Sequence, residues 1–280
     1  MKINYKDLKG LRALITGASS GIGEEYAKKL ASYGVNLTIT ARRIQRLETL
    51  AQKLRDEFSV EVECIELDLS VAGSAQKLFE QSASSAKDFQ ILVNNAGIGA
   101  YGPFVEETLN RHQATLQVNV TSLTELTYLF CKHMLKHGKS SFITNVASIA
   151  AFQATPYFAV YSGSKSYTRI FSQTLKHELK NTNISVSCLC PGGTYTEFLD
   201  HSGQKLTESG HFAMMSVEDV VKSGIEGMIK NYPVIVPGTM NKLACFLPRL
   251  LPTQLGVSLA FSAMKRSVKR QNATSKQETQ

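Results

Sequence analysis

The sequence contains a tyrosine and a lysine, Tyr161 and Lys165, whose spacing suits proton transfer. Residues four apart on a helix lie on the same face, so the Tyr161 phenol and the Lys165 ammonium can point into one site. A nearby cation favours the phenolate and lowers the tyrosine pKa from about 10, so that the phenol can exchange a proton near neutral pH. The spacing alone is not specific, because Tyr5–Lys9 and Tyr128–Lys132 share it. The elements that position each pair must decide between them.

A glycine-rich turn, Gly17-Ala18-Ser19-Ser20-Gly21-Ile22-Gly23, lies between a β-prone run at 11–16 and a helical segment at 24–33. A second β-prone run follows at 35–41. Strand, glycine turn, helix and strand within about 30 residues form the frame of a mononucleotide-binding unit. The glycines let the backbone approach a pyrophosphate, and the helix N-terminus offers N–H groups. We therefore predict a dinucleotide site here, with a tight turn that binds no ligand as the alternative.

The residues after the second strand indicate which dinucleotide binds. An acidic residue at this position often holds the ribose 2′-hydroxyl of NAD. Here the chain reads Ala41-Arg42-Arg43, and a guanidinium can bind a 2′-phosphate that a carboxylate would repel. Arg42 therefore favours NADP(H) over NAD(H), unless the two arginines only begin the next helix in solvent.

Strands and helices continue to alternate along the chain. Further β-prone runs lie at 60–67, 91–93, 141–146, 184–189 and 234–236, and helical segments at 43–57, 72–86, 107–137, 217–230 and from near Tyr161 to about residue 180. The alternation predicts an α/β fold, a single Rossmann-like domain with a doubly wound parallel sheet of about seven strands and helices on both faces. Ligands on such sheets bind beyond the carboxyl ends of the strands. That edge should carry the residues that end successive strands: Gly17, Arg42, Asp68, Asn95 and Ser148.

Composition and charge exclude several other classes of protein. With 280 residues, 43% hydrophobic and 19% charged, the chain is an ordinary globular protein. The net charge is +8, but Lys and Arg are clustered only at 265–270, so we expect no nucleic-acid binding. The five cysteines suit buried, reduced thiols in the cytoplasm, and they predict no metal site. We read no export signal at the N-terminus and no apolar stretch of the ~18 residues that a membrane span needs.

The chain divides into a main domain and a short extension. Residues 1–240 form the predicted dinucleotide-binding and catalytic domain, in which 197–215 has the mixed composition of a mobile substrate flap. Residues 241–270 are first apolar and then basic. We expect them to pack as a lid or at a subunit interface, and contact with a membrane surface is the less favoured alternative. The polar tail 271–280 is expected to be disordered.

In order and spacing, these motifs resemble those of the short-chain dehydrogenases/reductases over about residues 8–236. The matching pieces are Thr16-Gly17-x-x-x-Gly21-Ile22-Gly23, Asp68, Asn94-Asn95-Ala96-Gly97, Asn119, Ser148, Tyr161-x-x-x-Lys165 and Pro191-Gly192. The branch that looks closest is NADP-dependent and includes 3-oxoacyl and hydroxysteroid-type reductases. Neither Tyr5 nor Tyr128 has a serine 13 residues upstream in the family's position, so both are most simply surface or packing residues.

The resemblance implies a catalytic role for four residues. Tyr161 would be the general acid in carbonyl reduction and the base in alcohol oxidation. Lys165 would lower the pKa of Tyr161 and bind the nicotinamide ribose. Ser148 would hold the substrate oxygen as charge develops on it, and Asn119 would position a water that links Lys165 to solvent.

The resemblance also implies a set of cofactor contacts, which includes Tyr161 and Lys165. Ser19 and Arg42 would lie near the 2′-phosphate, and Asp68 near the adenine amino group. The full remaining set is Gly17, Ser19, Ser20, Gly21, Ile22, Gly23, Arg42, Asp68, Leu69, Asn95, Ala96, Gly97, Pro191, Gly192, Thr194 and Thr196. In this set Asn95 and Ala96 would face the ribose side, and Pro191, Thr194 and Thr196 the nicotinamide.

We predict an NADP(H)-dependent oxidoreductase that interconverts a hydrophobic ketone or aldehyde and its alcohol. The substrate class follows from an expected apolar lining: Ile98, Tyr101, Phe152, Phe158, Phe198 and Met214. The resemblance implies a homodimer or a homotetramer. One alternative is a catalytically idle, NADP-binding regulator that senses redox state. The other is a lipid-binding protein that uses residues 241–270 at a membrane surface.

Overall fold

The computed structural model describes residues 4–83, 88–203, 214–247, 252, 254–258 and 260–262. Residues 204–213 of the predicted flap, the basic run 265–270 and the tail 271–280 lie outside the described residues. In the described part, seven parallel strands form a single sheet with helices on both faces, which confirms the predicted fold class. No helix in that part is long and apolar enough to span a bilayer.

The elements alternate in the order that the sequence predicts. The strands are β1 Arg12–Thr16, β2 Asn36–Ala41, β3 Val62–Glu66, β4 Ile91–Asn94, β5 Ser141–Val146, β6 Ile184–Leu189 and β7 Val234–Ile235. The helices are α1 Gly21–Ser32, α2 Ile44–Phe58, α3 Ser74–Ala83, α4 Leu109–Leu116, α5 Leu123–His137, α6 Ala159–Glu178, α7 Phe198–Ser202, α8 Val217–Ile229 and α9 Thr239–Phe246. Short 3₁₀ turns occupy Tyr5–Leu8 and Ile149–Phe152.

The strand order is β3-β2-β1-β4-β5-β6-β7, so the chain reverses direction across the sheet between β1 and β4. Side chains alternate between the two faces of each strand. Ala13 and Ile15 of β1 therefore pack into the core that includes α1, α2 and α8, whereas Leu14 packs into the core with α3 and α5. A reversal of this kind opens a crevice beyond the carboxyl ends of the strands, where the predicted site residues lie.

The predicted helix at 107–137 is interrupted in the structure. It is α4, a π turn at Gln117–Ser122, and α5. Thr108 caps α4 by accepting a hydrogen bond from Arg111 N at 3.3 Å. The π turn holds Asn119 against the backbone of Ile98, and single-turn π segments of this kind occur often at functional sites.

Candidate active site

A cavity of about 850 Å³ opens at the carboxyl ends of β1 to β6. All of the predicted catalytic and cofactor-binding residues line it except Gly23 and Asn119. Residues from the glycine turn, the ends of six strands and the start of α6 thus share one wall. The fold therefore brings together side chains that are separated by more than a hundred positions in the sequence.

The glycine turn needs its glycines for two physical reasons. Gly17 and Gly21 have φ angles of +68° and +58°, which favour glycine. At Gly23, a Cβ atom would collide with the carbonyl of Gly17, so α1 can start this close to the turn only without a side chain. Gly23 lies behind the turn and has a packing role.

Asn95 supports the turn from the end of β4. Its Nδ2 donates to the carbonyls of Thr16 at 2.9 Å and Gly17 at 3.2 Å. In return, Thr16 Oγ1 accepts hydrogen bonds from the backbone N–H groups of Asn95 and Ala96, both at 3.0 Å. The Asn95 side-chain amide therefore stabilises the turn through its two hydrogen bonds, and the residue also lines the cavity.

Arg43, the neighbour of the predicted Arg42, lies against the glycine turn. Arg43 Nη2 donates to Ser19 Oγ at 3.0 Å and to Ser20 Oγ at 2.9 Å, so its guanidinium lies against the glycine turn. Arg42 is more exposed, and its Nη1 lies 3.8 Å from Asp68 Oδ2. Both arginines line the cavity, and Arg43 was missed because two adjacent residues at a strand end cannot be told apart by their pattern.

Glu197 is a second residue that the sequence analysis did not identify. Its carboxylate accepts from Arg46 Nη1 at 2.5 Å and from Arg43 Nη1 at 2.7 Å. These two guanidiniums lower the pKa of Glu197 to about 2. Glu197 directly precedes α7, so this ion pair joins the start of the predicted flap to the arginines beside the turn.

Tyr161 lies in the first turn of α6, with its ring between Phe158 and Phe198 at centroid distances of 5.1 and 5.3 Å. Burial raises the pKa of Tyr161 to about 12, and a hydrogen bond with Ser148 opposes that rise. The expectation that Lys165 lowers the pKa of Tyr161 is wrong for this structure. Desolvation of the hydroxyl outweighs the hydrogen bond, so the phenol is neutral at physiological pH.

Lys165 is on the same face of α6, as the spacing predicts, and it is buried. Its Nζ donates to the carbonyl of Val146 at 2.8 Å and lies 5.8 Å from the centroid of the Tyr161 ring. Burial lowers the pKa of Lys165 to about 8. An ammonium with this pKa can release and regain a proton near neutral pH.

Ser148 and Asn119 are fixed by hydrogen bonds to the backbone. Ser148 Oγ accepts from Ala150 N at 3.1 Å, which places the hydroxyl at the start of a 3₁₀ turn. Asn119 is buried, and its Nδ2 donates to Ile98 O at 2.8 Å and to Ser164 Oγ at 3.0 Å. Asn119 therefore lies behind the cavity wall and does not line the cavity itself.

The predicted apolar lining is correct for half of its members. Ile98, Phe158 and Phe198 line the cavity. Tyr101, Phe152 and Met214 do not, and their inclusion was wrong: Tyr101 packs on the Phe158 ring at 4.9 Å, Arg169 covers Phe152 at 4.8 Å, and Met214 packs against Gly193. Polar residues occupy part of the wall instead, namely Arg111, Gln153, Thr155 and His201.

One crevice contains a glycine turn, a guanidinium beside that turn, and a tyrosine with serine and lysine neighbours. This arrangement is typical of a nucleotide-dependent oxidoreductase of the doubly wound α/β class. Residues 12–207 match the family model described as short chain dehydrogenase. The chain belongs to the short-chain dehydrogenase/reductase family.

Three relatives illustrate the similarity. The chain is 26% identical over 240 residues to the 7beta-hydroxysteroid dehydrogenase of Clostridium sardiniense, across 86% of this chain and 90% of that protein. A solved short-chain dehydrogenase from Sphingobium yanoikuyae in complex with NADPH has a TM-score of 0.76 and 29% identity and covers 95% of each chain. A short-chain dehydrogenase/reductase from Burkholderia phymatum in complex with NAD has a TM-score of 0.79 and 25% identity, across 86% of this chain and 94% of that one. Relatives with either nicotinamide dinucleotide are therefore similar to this chain.

Proposed function

We propose that this protein is an NADP(H)-dependent oxidoreductase that interconverts a hydrophobic ketone or aldehyde and its alcohol, with Tyr161 as the general acid/base. The observation that carries the proposal is that Tyr161, Ser148 and Lys165 line the same cavity as the glycine turn. A phenol and a hydroxyl so placed can both hold a carbonyl oxygen.

The donor set beside the turn fits a 2′-phosphate. The guanidiniums of Arg42 and Arg43 and the hydroxyls of Ser19 and Ser20 offer charge-assisted and neutral hydrogen bonds within one part of the cavity. When bound, the dinucleotide supplies the hydride, and the protein supplies orientation and the proton. Glu197 opposes the preference for NADP(H), because its carboxylate already binds Arg43. We infer that a 2′-phosphate and Glu197 compete for this guanidinium.

The chain's own residues account for the proton transfer. The neutral Tyr161 phenol donates its proton to the substrate oxygen during reduction, while Ser148 donates a hydrogen bond to the same oxygen. Lys165, with a pKa of about 8, returns a proton toward Tyr161. We propose that Asn119 positions a water between Lys165 and solvent. The two side chains lie close together, because a Cβ atom built on Gly97 would be 3.1 Å from Lys165 Nζ and 3.4 Å from Asn119 Oδ1.

The substrate class rests on the surroundings of Tyr161. Phe158 and Phe198 flank its ring, and Ile98 lines the same cavity. Apolar walls next to the proton donor favour a hydrophobic carbonyl compound over a small anionic acid. The relative from Clostridium sardiniense is a hydroxysteroid dehydrogenase, which supports a bulky, apolar substrate.

The test is a screen of hydrophobic ketones and aldehydes with NADPH, followed by the loss of nicotinamide absorbance. Tyr161→Phe should lower turnover by at least about 10²-fold, because it removes the hydroxyl that donates the proton. Tyr167→Phe is the matched control, because Tyr167 lies on the same helix, its hydroxyl hydrogen-bonds Thr124 Oγ1 at 2.8 Å, and it does not line the cavity. Undiminished turnover in Tyr161→Phe would refute the assignment, and NADPH binding without turnover of any carbonyl would favour the regulator alternative.

We also propose a cytoplasmic homodimer or homotetramer. All five cysteines are free thiols, which suits a reducing compartment. Exposed apolar side chains on neighbouring helices support self-association: Leu109 and Leu116 on α4, Tyr128 and Leu135 on α5, and Tyr167 and Ile170 on α6. Light scattering on the purified protein measures the oligomeric state directly.

A further inference from the structure

A guanidinium lies close to the candidate proton donor. Arg111 is on α4 and lines the cavity, and its Nη2 donates to the carbonyl of Gly99 at 3.5 Å. Gly99 packs on the active-site rings, because a Cβ atom built there would be 2.9 Å from Tyr161 Cδ2 and 3.2 Å from Phe198 Cζ. The backbone dimensions of one residue therefore place the guanidinium within about 10 Å of the Tyr161 ring. Arg111 thus belongs to the part of the cavity in which the substrate would react.

Three contacts hold the Arg111 guanidinium in place. Its Nη2 also donates to the carbonyl of His201 in α7, and its Nε lies 3.4 Å from the carboxylate of Glu107. Glu107 does not line the cavity, and its carboxylate also accepts a hydrogen bond from Thr108 N at 2.8 Å. Within the described part of the chain, Nη1 makes no hydrogen bond. The guanidinium therefore keeps donors for a ligand in the cavity.

The cavity wall itself offers little to neutralise this cation. Among the described lining residues the one carboxylate is Asp68, which follows the edge strand β3 and lies 3.8 Å from Arg42. A wholly apolar substrate that covers Arg111 would remove water from the guanidinium and replace none of its hydrogen bonds, which costs free energy. A substrate with an anionic group would instead form a charge-assisted pair.

We propose that the substrate carries a carboxylate at the end opposite its carbonyl group, and that Arg111 binds this carboxylate through Nη1. One guanidinium matches the single charge of a carboxylate. The apolar body between the two groups packs on Ile98, Phe158 and Phe198, which line the same cavity. The carboxylate site rests on the proposed reductase function, and it narrows the substrate class to amphipathic keto acids or aldehyde acids. Such compounds differ from small anionic acids because an apolar chain separates the two polar ends.

The turnover test compares straight-chain keto acids of increasing length with their methyl esters, which keep the ketone and lose the charge. For the best acid, we expect kcat/KM with NADPH to be at least about tenfold higher than for its ester, since hydrogen bonds between charged groups contribute about that factor. Arg111→Met keeps the apolar stem and removes the donors. It should bring the acid-to-ester ratio of kcat/KM to about one, whatever the absolute rates.

Two further variants sharpen the test. Glu107→Gln keeps an oxygen that can accept from Thr108 N and removes the charge that competes for the guanidinium. It should raise the acid-to-ester ratio about two- to fivefold, the size of a partly exposed ion pair. Lys53→Met is the control for overall charge, because it removes an exposed cation of α2 that does not line the cavity. It should keep the wild-type ratio.

A binding test separates the carboxylate site from the reductase function. Straight-chain carboxylates without a ketone, and the primary amides of the same length, are titrated calorimetrically into the protein alone and with NADPH. The carboxylates should bind at least about tenfold more tightly than the amides, and Arg111→Met should abolish the difference.

The outcomes distinguish the two proposals. Carboxylate binding that requires Arg111, without turnover of any carbonyl compound, would refute the reductase function and support the site. Equal kcat/KM for acids and esters in the wild type would overturn the site and leave the reductase function in place. An equal loss of activity toward acids and esters in Arg111→Met would also overturn it, because the residue would then only hold α7 through the carbonyl of His201.

Discussion

Replacing Glu197 by glutamine should strengthen the binding of NADPH and leave the binding of NADH nearly unchanged. The Glu197 carboxylate binds Arg43 at 2.7 Å and Arg46 at 2.5 Å, and Arg43 is the guanidinium that also binds Ser19 and Ser20. If the 2′-phosphate of NADPH binds at this guanidinium, the carboxylate competes with it. Glutamine keeps the shape of the side chain and removes the charge, so the competition should fall.

The size of the effect follows from the exposure of the ion pair. The side chains of Glu197 and Arg43 are each 36% exposed, so solvent screens their attraction. An ion pair of this kind contributes ~0.2–1 kcal/mol. Because ~1.4 kcal/mol is a factor of ten in affinity, two such pairs, which together contribute ~0.4–2 kcal/mol, predict that the Kd for NADPH falls about two- to thirtyfold. Arg46 and Arg43 lower the pKa of Glu197 to about 2, so its charge and the effect persist at any pH well above that value.

The assay is a fluorescence titration of NADPH and NADH into the wild-type protein and Glu197→Gln. Asp88→Asn serves as the matched control, because it removes an exposed ion pair with Lys139 at 2.7 Å that is remote from the cavity. Weaker NADPH binding in Glu197→Gln would refute the reasoning. Equal changes for the two dinucleotides would refute it as well, since Glu197 would then only hold the loop before α7 in place.

Three further predictions concern the helix that carries Tyr161 and the loop that follows β6. First, kcat/KM for carbonyl reduction should fall above about pH 8, because burial sets the pKa of Lys165 near 8 and its ammonium is lost there; a pH profile in which Lys165→Arg shows the same fall would contradict this. Second, Gly163→Ala should raise the free energy of unfolding by about 0.5–1 kcal/mol, because Gly163 is an exposed helical position with no neighbouring atom within 4 Å of a new Cβ. Gly192→Ala should lower it by about 1–3 kcal/mol through its collision with Asn241, and urea denaturation of both variants measures the difference.

Most of the fold could be predicted from local pattern. Periodicity and glycine positions identified the seven strands, and β5 and β6 have the predicted bounds. The strand order was not predicted, because it depends on which strands pair and not on any single segment. The π turn at Gln117–Ser122 was missed for a similar reason. It lets Asn119 reach the backbone of Ile98, a contact between residues 21 positions apart that leaves no signal in either segment.

The sequence predicted the motif residues of the candidate site, but it did not predict the Arg43–Glu197 ion pair or half of the apolar lining. Most of the motif residues line one cavity, because strand ends fix where they lie, and only Gly23 and Asn119 among the predicted site residues lie behind its wall. Arg43 and Glu197 are 154 residues apart, and no motif links them. The pocket lining was half wrong for the same kind of reason, since Tyr101, Phe152 and Met214 are covered by neighbours that only the tertiary structure supplies.

The spacing of Tyr161 and Lys165 predicts that both lie on one helix face, but it does not predict the pKa of Tyr161, which depends on burial. The helix places Lys165 on the right face, yet burial of the hydroxyl sets the pKa at about 12 and Lys165 binds Val146 instead. At pH 7 about one phenol in 10⁵ is ionised, so Tyr161 is ready to act as an acid and seldom as a base. Once the phenol has donated its proton, the phenolate is a far stronger base than the amine of Lys165, whose pKa is about 8. The proton therefore moves from the lysine side toward Tyr161. Burial of the two groups thus keeps the phenol of Tyr161, and most of the ammonium of Lys165, protonated at neutral pH, which is the state that the proposed carbonyl reduction requires.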